Sequence, residues 1–355
     1  MNHLHHPDVH KAASDWSENQ VLHVAAAYSN PFRWRTRREL ANDFRRHMEQ
    51  SPNVVLHMVE LAYGDRPFEV TVRDHPGDVQ LRTSTELFHK ENLLNLGVRH
   101  FPSDWHYGAI IDADFHFTRH DWSLEAVHQL QHYDWVQLYS SYTDLSGETL
   151  GQGHRVIGSN NTFAFNYVQN GFQIPLGFSA GGWRDASSDA LDYAPGFVPA
   201  GKARRVGATG GAWAFRRSAF DAVGGLLDRC ILGHGDWFMS FGLVGQMAPD
   251  MHISGYTADY LGMIQAWQSR AAAITANIGY VDGHAIHHFH GPKVLRGYSK
   301  RDLILVREQY EPTRDVKLDW QGVLALTGNK PGLRDAIRAY FLERNEDLPH
   351  SGELR

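Results

Sequence analysis

Apolar runs and amphipathic segments alternate along the first part of the chain. The strand-like apolar runs cover 21–27, 54–61, 107–111 and 135–139. Between the first two runs, the segment 34–50 carries Leu40, Phe44 and Met48 at the spacing of one helical face. A repeated strand–helix–strand order is typical of a mostly parallel sheet covered by helices. The sequence therefore predicts an α/β fold.

The periodicity weakens over 140–206, where Gly, Ser, Asn and Pro accumulate, and we interpret this segment as loops and short strands that cover a site. After residue 206, the spacing of apolar positions again indicates regular elements. It predicts strands at 210–215 and 279–289 and helices at 218–223, 236–244 and 260–277. From these patterns we expect an N-terminal extension at 1–20, one α/β domain at 21–298 and a helical C-terminal extension at 299–355.

Composition narrows the class of protein. Of the 355 residues, 42% are hydrophobic and 21% are charged, which argues against disordered, collagen-like and coiled-coil classes. No apolar run has the length of a membrane span, and residues 1–6 lack the basic start and apolar stretch of a signal peptide. The single cysteine, Cys230, cannot form an internal disulfide. We therefore expect a cytoplasmic protein with no membrane partner.

The charge balance and the histidine content bear on partners. With 34 basic and 40 acidic residues, the net charge of −6 argues against a general nucleic-acid binder. The N-terminal helix region is a local exception, because it carries Arg33, Arg35, Arg37, Arg38, Arg45 and Arg46. These arginines either contact the phosphates of a polymeric acceptor or form a solvated helix face. The 23 histidines suggest a metal site.

The first candidate for chemistry is Asp112-Ala113-Asp114, directly after the apolar run that ends at Ile111. Open α/β sheets bind ligands beyond the carboxyl ends of their strands. Two carboxylates at such a place can hold Mg²⁺ or Mn²⁺, with phosphates and water completing the coordination. The alternative is a turn with two solvated acids.

The second candidate is the segment from His284 to Lys293, which has the sequence His-Ala-Ile-His-His-Phe-His-Gly-Pro-Lys. In a strand, His288 and His290 would share one face and His287 would lie on the other. A histidine is a suitable third ligand for Mn²⁺ beside two carboxylates. The sequence has none of the cysteine pairs or His-Glu-x-x-His helices of closed zinc sites. The alternative is an exposed, histidine-rich strand end.

The third candidate is Gly233-His234-Gly235-Asp236-Trp237. Asp236 could cap a helix, or it could present a carboxylate to an acceptor hydroxyl as a general base. Trp213 and Trp237 could stack on a sugar or a base, or they could be core residues.

Taken together, these segments resemble the GT-A-fold glycosyltransferases, whose DxD motif binds a metal ion. Three stretches carry the resemblance: Asp112-Ala113-Asp114; Gly210-Gly211-Ala212-Trp213-Ala214-Phe215-Arg216-Arg217 through Phe220 and Gly224-Gly225 to Gly233-His234-Gly235-Asp236; and His288-Phe289-His290-Gly291-Pro292-Lys293. Their order and approximate spacing agree over 21–293. One departure is Gly235, because many relatives carry a second acid at that position. The segment 147–206 matches no part of the family.

The resemblance implies a GT-A, Rossmann-like fold for 21–298 and a metal-dependent transfer of sugar from a nucleotide-sugar, expected to be UDP-linked. Mn²⁺ or Mg²⁺ would be bound by Asp112, Asp114 and either His288 or His290. Further donor contacts are expected from Ala27, Tyr28, Glu60, Lys90 and Lys293, with Asp112 shared between donor and metal. Acceptor contacts are expected from Gly211, Trp213, Asp236 and Trp237, with Asp236 as the base if the reaction inverts.

Some enzymes of this kind in bacteria and phages glycosylate hydroxymethylated pyrimidines in DNA, and we place such an acceptor first. A flipped base would stack on Trp183 or Trp213. A soluble saccharide or a cell-surface glycan precursor is the next acceptor. A non-catalytic nucleotide- or carbohydrate-binding protein is the alternative outside enzymes. A phosphotransferase is disfavoured because no Gly-x-x-x-x-Gly-Lys-Ser/Thr loop is present.

Overall fold

A computed structural model of the protein describes residues 20–147, 153–174, 206–246, 248 and 255–348. Its strands are β1 (Leu22–Ser29), β2 (Val54–Tyr63), β3 (Asp78–Thr83), β4 (Tyr107–Ile111), β5 (Phe115–Phe117), β6 (Trp135–Gln137), β7 (Ser141–Leu145), β8 (Val156–Asn161), β9 (Ala212–Arg216), β10 (Ile278–Tyr280), β11 (His284–His287), β12 (Val316–Leu318) and β13 (Leu324–Leu326). Its α-helices are α1 (Arg35–Glu49), α2 (Lys90–Arg99), α3 (Trp122–Gln129), α4 (Phe163–Gln169), α5 (Arg217–Val223), α6 (Gly235–Leu243), α7 (Ala258–Ala271), α8 (Tyr298–Arg307) and α9 (Pro331–Arg344). Short 3₁₀ helices lie at Ala272–Ile274 and Lys293–Arg296.

Seven of the described strands form the central sheet, in the order β10-β6-β9-β4-β1-β2-β3. The pairs β4-β1, β1-β2 and β2-β3 are parallel, as is β10-β6. Only β9 runs against its two neighbours, β4 and β6. The predicted α/β fold with a mostly parallel sheet is confirmed.

Helices cover both faces of this sheet, because side chains alternate between the faces along each strand. On β1, Leu22, Val24 and Ala26 pack with residues of α1 and α3, whereas Ala25 packs with residues of α2, α6 and α7. A strand buried on both faces has a nearly continuous apolar sequence, which is the pattern at 21–27. Each large apolar side chain buried in this way contributes about 1.5–3 kcal/mol.

Helix α1 shows how the sequence sets one of these packing faces. Ala41, Phe44 and Met48 are buried at the i, i+3, i+7 spacing of a single face, and the other side of the helix is polar. The helix ends at Glu49, shortly before Pro52, which cannot continue a helical hydrogen-bond ladder. The predicted helix at 34–50 is confirmed.

A second sheet has the strand order β5-β11-β7-β8. Its strand β5 begins directly after the turn that follows β4, so the chain passes from the carboxyl end of β4 into this sheet. The prediction of one strand over 279–289 is wrong. The chain leaves the central sheet after Tyr280 and joins the second sheet at His284. Between them, Ser140 accepts a hydrogen bond from the Gly283 N–H and contacts Asp282, which fixes the change of sheet.

The C-terminal part of the described chain packs on the main core. It contains the β12-β13 hairpin as well as α8 and α9, so the described part of the helical extension expected at 299–355 also includes two short strands. Tyr310, Leu333 and Ile337 are almost fully buried in the same core cluster as α6 and α7. The side chain of Asn92 on α2 binds the backbone of Gly322 and Leu324. None of the described helices is long and apolar enough to cross a bilayer.

Candidate functional site

The Asp112-Ala113-Asp114 turn lies at the carboxyl edge of the central sheet, directly after β4. The Asp112 N–H donates a hydrogen bond to the Gly211 carbonyl over 2.7 Å, and the Phe115 N–H donates one to the Asp112 carbonyl over 3.2 Å. Gly211 has φ +90°, and a Cβ there would lie 2.2 Å from the Tyr139 hydroxyl oxygen. A glycine is therefore required where β9 approaches the acidic turn.

Asp114 and two histidines form a compact cluster. Asp114 Oδ2 lies 3.1 Å from His290 Nε2 and 3.7 Å from His287 Nε2, and the two imidazole nitrogens are 3.3 Å apart. All three ligand atoms fall within 4.8 Å of one another. On its far side, His287 Nδ1–H donates to Asp144 Oδ1 over 2.6 Å, which directs Nε2 towards Asp114.

The charges in this cluster are coupled. Burial would raise the pKa of Asp114, but the imidazoles of His290 and His287 hold that pKa well below its usual value. Burial also opposes protonation of His287, yet Asp114 and Asp144 raise its pKa to about 9. For His290, burial and the neighbouring Arg296 lower the pKa well below its usual value. The carboxylate is thus ionised and His290 is neutral, as a metal ion requires, whereas His287 carries a proton near neutral pH that it must release when a metal ion binds.

The donor set fits a divalent metal ion. Asp114 Oδ1 is buried with no hydrogen-bond partner among the described residues, so this carboxylate has a free coordination position. Two imidazole nitrogens with one carboxylate suit first-row transition ions such as Mn²⁺ better than Mg²⁺, which prefers oxygen ligands. The Asp144 carboxylate supplies the outer contact that ligand histidines commonly have.

Asp112 belongs to a different cluster, centred on Lys90 at the start of α2. Lys90 Nζ lies 3.4 Å from Asp112 Oδ2, 3.8 Å from Asp236 Oδ2 and 3.8 Å from Glu91 Oε1. Gly210 permits the approach of Asp236, because a Cβ on Gly210 would lie 2.2 Å from Asp236 Oδ2. One half-buried ammonium therefore lies among three carboxylates, which come from α2, the turn after β4 and α6.

These carboxyl groups differ in their pKa. Burial raises the pKa of Asp112 to about 6, although Lys90 opposes the shift. Burial likewise raises the pKa of Glu91 to about 7 against the effect of Lys90. Burial also acts on Asp236, but Lys90 and Arg301 outweigh it and lower the pKa. Of the three carboxyl groups, Asp236 therefore has the strongest preference for the ionised form.

A pocket opens between α2, β9 and α6 and has the Lys90 cluster at one end. The space that water can occupy within it is about 30 Å³, and the wider cleft, with the open solvent at its mouth, is about 440 Å³. The remaining lining is mostly apolar and includes Leu94, Ile110, Trp135, Trp213, Met239 and Leu243. A mostly apolar cleft with a few convergent polar groups is the usual form of a small-molecule site.

Several residues predicted from sequence meet in this pocket: Lys90, Asp112, Gly211, Trp213 and Asp236. Trp213 is held in its wall by a 2.8 Å hydrogen bond from Nε1 to the Thr209 carbonyl. Trp237 is not among the lining residues, and its ring packs on Phe241 with centroids 4.8 Å apart. Asp236 lies in the first turn of α6, whose N-cap is His234.

The three residues predicted to bind the base and ribose lie on neighbouring strands, but two of them already have structural roles. Glu60 accepts hydrogen bonds from the backbone N–H groups of Glu69, Val70 and Thr71. The Tyr28 hydroxyl donates a hydrogen bond to Glu69 Oε2 over 2.5 Å. Ala27 pairs with β2 beside them. Glu60 therefore anchors the loop that follows β2, so the expectation that it faces the ribose has no support in its contacts.

The structure brings His287, and not His288, to Asp114. The expected alternation does not extend to His288, because β11 ends at His287. The His288 ring packs edge-on against His116 with centroids 4.5 Å apart, and its backbone N–H donates to the Asp114 carbonyl. Asp112 and His288 thus lie outside the ligand cluster, whereas Asp114 and His290 belong to it.

Sequence reasoning also missed Asp144 and Glu91. Asp144 belongs to no motif, and only the pairing of β7 with β11 brings it to His287. Glu91 directly follows Lys90, which was predicted to contact the donor, so its position in the sequence could have identified it as a site residue. Trp183 lies outside the described residues, as does the extension at 1–20 apart from residue 20, and so does the side chain of Lys293.

The arginine-rich region divides into structural and exposed residues. Arg37 binds Glu346 and the Ser29 carbonyl, and Arg45 binds Asp78 and the Val70 carbonyl. The exposed members are Arg33, Arg35, Arg38 and Arg46. Only these four remain available for an acceptor.

Comparison with protein-family models finds no match to this chain, and comparison with curated proteins finds none either.

Proposed function

We propose that this protein is a metal-dependent glycosyltransferase of the GT-A type, which moves a sugar from a nucleotide-sugar to an acceptor hydroxyl. One observation carries the proposal: the Asp112-Ala113-Asp114 turn joins a metal-ligand cluster, through Asp114, to a pocket, through Asp112. A donor diphosphate at the cluster and its sugar in the pocket would then be adjacent. The sequence resemblance to this family supports the same assignment.

In this proposal Asp114, His287 and His290 hold Mn²⁺ or Mg²⁺, and the donor set favours Mn²⁺. When bound, such an ion supplies Lewis-acid stabilisation of the charge that develops on a departing diphosphate. Lys90 reduces the negative charge on the pocket side of the turn, because its ammonium lies among the carboxylates of Asp112, Asp236 and Glu91.

The transfer step breaks the bond between the sugar C1 and the diphosphate oxygen, which leaves with the electron pair. A bond forms between C1 and the acceptor oxygen, and the acceptor proton goes to Asp236 if the reaction inverts. Lys90 and Arg301 outweigh burial and lower the pKa of Asp236, so its carboxylate is ionised and free of a proton before the acceptor binds. A positioned general base contributes about 10²–10⁴ in rate.

For the acceptor, we propose a hydroxymethylated pyrimidine in DNA. The support is the exposed set Arg33, Arg35, Arg38 and Arg46, which can contact phosphates. Arg35 and Arg46 also contact Glu39 and Asp43, so the local positive charge is moderate. A soluble saccharide is the acceptor that would replace DNA if these arginines have no effect on transfer.

The test is nucleotide release from a panel of UDP-, GDP- and dTDP-sugars with Mn²⁺, Mg²⁺ or EDTA. Each donor is run alone and with duplex DNA that contains hydroxymethylcytosine or hydroxymethyluracil. The proposal expects release that requires metal and is faster with modified DNA. Metal-dependent release that is no faster with modified DNA supports the transferase and indicates an acceptor other than DNA. Binding of sugar nucleotides without any release contradicts the transferase and favours a binding protein.

A further inference from the structure

Residues 344–347, the C-terminal segment, are held against α1 by a buried network of ion pairs. Helix α9 ends at Arg344, and Asn345 has the left-handed φ of +34° that reverses the chain. Glu346 is 1% exposed, and its Oε1 lies 2.6 Å from Arg37 Nη2 and 2.9 Å from Arg344 Nη2. Its Oε2 accepts a hydrogen bond from Arg37 Nε over 2.9 Å. Two arginines therefore fix this carboxylate, and the short segment that carries it.

The C-terminal segment is also attached to the start of α1 and, through Arg37, to the end of β1. Asp347 accepts hydrogen bonds from the backbone N–H groups of Arg35, over 2.8 Å, and Thr36, over 2.9 Å. The first N–H groups of a helix have no acceptor within the helix, so the Asp347 carboxylate supplies one. Arg37 Nη1 donates to the carbonyl of Ser29, the last residue of β1, over 2.6 Å. The segment is thus connected to the central sheet.

The metal-ligand candidate His290 lies in an irregular stretch that packs on the C-terminal segment. This stretch connects β11 to the 3₁₀ helix at Lys293–Arg296. The next residue, Gly291, has φ +95°, and a Cβ there would lie 2.9 Å from Glu346 Cα and 3.4 Å from the Arg344 carbonyl oxygen. The two backbones therefore meet without a side chain from Gly291 between them, one residue from His290.

The two histidines of the ligand cluster are held in different ways. His287 belongs to β11, which pairs with β5 and β7, and its Nδ1–H is bound by Asp144. His290 lies beyond the end of that strand, so its position depends on what the following backbone packs against. A metal site requires its ligands to be held within about 0.5 Å of the productive geometry. The contact of Gly291 with Glu346 provides such a support.

The ion-pair network is better suited to fixing a position than to adding stability. Replacement of a buried ion pair by apolar side chains of similar volume is often neutral for stability, because desolvation of the charges offsets their attraction. A bidentate contact between an arginine and a carboxylate, such as that of Arg37 with Glu346, adds geometric specificity.

We infer that the C-terminal segment positions the metal ligand His290. Glu346 acts on His290 through the backbone of Gly291, so it is a positioning residue and not a ligand. Arg37 and Arg344 hold Glu346 in the place where Gly291 packs on it. This inference rests on the proposed function for the metal ion at the cluster.

The first test measures the Kd of Mn²⁺ by calorimetry on the full chain. Glu346→Ala should weaken Mn²⁺ binding about tenfold, the lower end of the effect seen when residues that orient metal ligands are changed. Glu346→Gln, which keeps an acceptor oxygen, should restore part of the affinity. Asp315→Ala is the matched control, because Asp315 is a 1% exposed carboxylate paired with Lys330 at 2.8 Å outside the segment and the cluster. Equal Kd values for Glu346→Ala and the wild type overturn the inference.

A second variant retains the positive charge of the network. Arg37→Lys replaces the two-point contact with Glu346 by a single ammonium and should also weaken Mn²⁺ binding, by a smaller factor. Arg45→Lys is its control, because Arg45 lies on the same helix and is paired with Asp78 at 2.8 Å. If Glu346→Ala does not fold, this pair decides, and equal Kd values for Arg37→Lys and Arg45→Lys overturn the inference.

A measurement without metal separates this inference from the proposed function. Diethyl pyrocarbonate modifies accessible imidazoles, and mass spectrometry gives the rate at each histidine. In the metal-free protein, His290 should react faster in Glu346→Ala and in Arg37→Lys than in the wild type. His234, whose side chain is also 14% exposed, should react at the same rate in all three proteins.

The combined outcomes distinguish the two hypotheses. A wild type that binds no Mn²⁺ contradicts the metal-dependent function, while a faster reaction at His290 alone in the variants still supports the positioning role. Metal-dependent transfer with unchanged Mn²⁺ Kd values and unchanged reactivity of His290 supports the transferase and overturns the positioning role.

Discussion

The ammonium of Lys90 lies 3.4 Å from the Oδ2 atom of Asp112. The first carboxylate of the acidic turn is therefore neutralised by a lysine, while the second, two residues later, lies with the histidines. This division gives the turn two different roles, one on each side.

Replacing Lys90 with Met should change the pH dependence of transfer. Lys90 helps to hold the pKa of Asp236 below its usual value against burial, so its removal raises that pKa. The acidic limb of the kcat/KM profile should then move to higher pH, because the ionised base is lost sooner as the pH falls. Lys330→Met is the control: Lys330 is paired with Asp315 at 2.8 Å outside the pocket, and its loss should affect stability alone. A profile that does not move in Lys90→Met would contradict this role.

Asp114→Asn should remove Mn²⁺ binding and reduce turnover by at least about 100-fold, because the Lewis-acid stabilisation that a bound metal ion supplies is worth several kcal/mol. In the wild type, Mn²⁺ at 100 times its Kd should stabilise the fold by about 2.7 kcal/mol, seen as a higher Tm. The variant should show no such rise. Asp121→Asn, an exposed carboxylate paired with Arg119, should behave as the wild type. An active Asp114→Asn enzyme would rule out the metal cluster.

Asp144→Ala should weaken Mn²⁺ binding without removing a ligand. Asp144 accepts the Nδ1–H of His287, and loss of such an outer contact typically costs about 10- to 100-fold in metal affinity. Asp144→Asn, which keeps an acceptor oxygen, should restore part of the affinity. Ser141→Ala removes a polar contact to His284 on the same pair of strands and should leave the Mn²⁺ Kd unchanged. Equal Kd values for Asp144→Ala and the wild type would show that this contact is only structural.

The sequence predicted the architecture well, because the alternation of apolar strands and amphipathic helices is a local signal. Asp112, which the sequence assigned to donor and metal, and Gly211, Trp213 and Asp236, which it assigned to the acceptor, all line one pocket. The sequence could not determine where β11 ends, and a difference of one residue there exchanges His287 for His288. Long-range pairings such as that of Asp144 with His287 leave no local pattern.

Arg35→Glu/Arg38→Glu should weaken transfer to modified DNA and leave metal-dependent release without DNA unchanged. Both arginines are exposed, unlike Arg37, which binds Glu346. If both arginines contact phosphates, the slope of log K for DNA binding against the logarithm of the salt concentration should become shallower by about 1.8, or about 0.9 for each contact. Arg307→Glu/Arg334→Glu makes the same charge change on exposed residues of α8 and α9 and is the matched control. Equal losses in the two double variants would remove the reason to assign DNA to this surface.

The free energy of unfolding should fall as the medium becomes acidic, because buried histidines are held neutral in the fold. Burial lowers the pKa of His57 from 6.5 to about 4, and the nearby His23 adds to the shift. Between these two values the unfolded chain binds the proton and the folded chain does not, so stability is complete above pH 6.5 and decreases as the pH falls towards 4. His57→Gln should make this dependence shallower in urea unfolding measured at several pH values. The exposed His132→Gln should leave the slope as it is, and an equal change in both variants would place the acid sensitivity elsewhere.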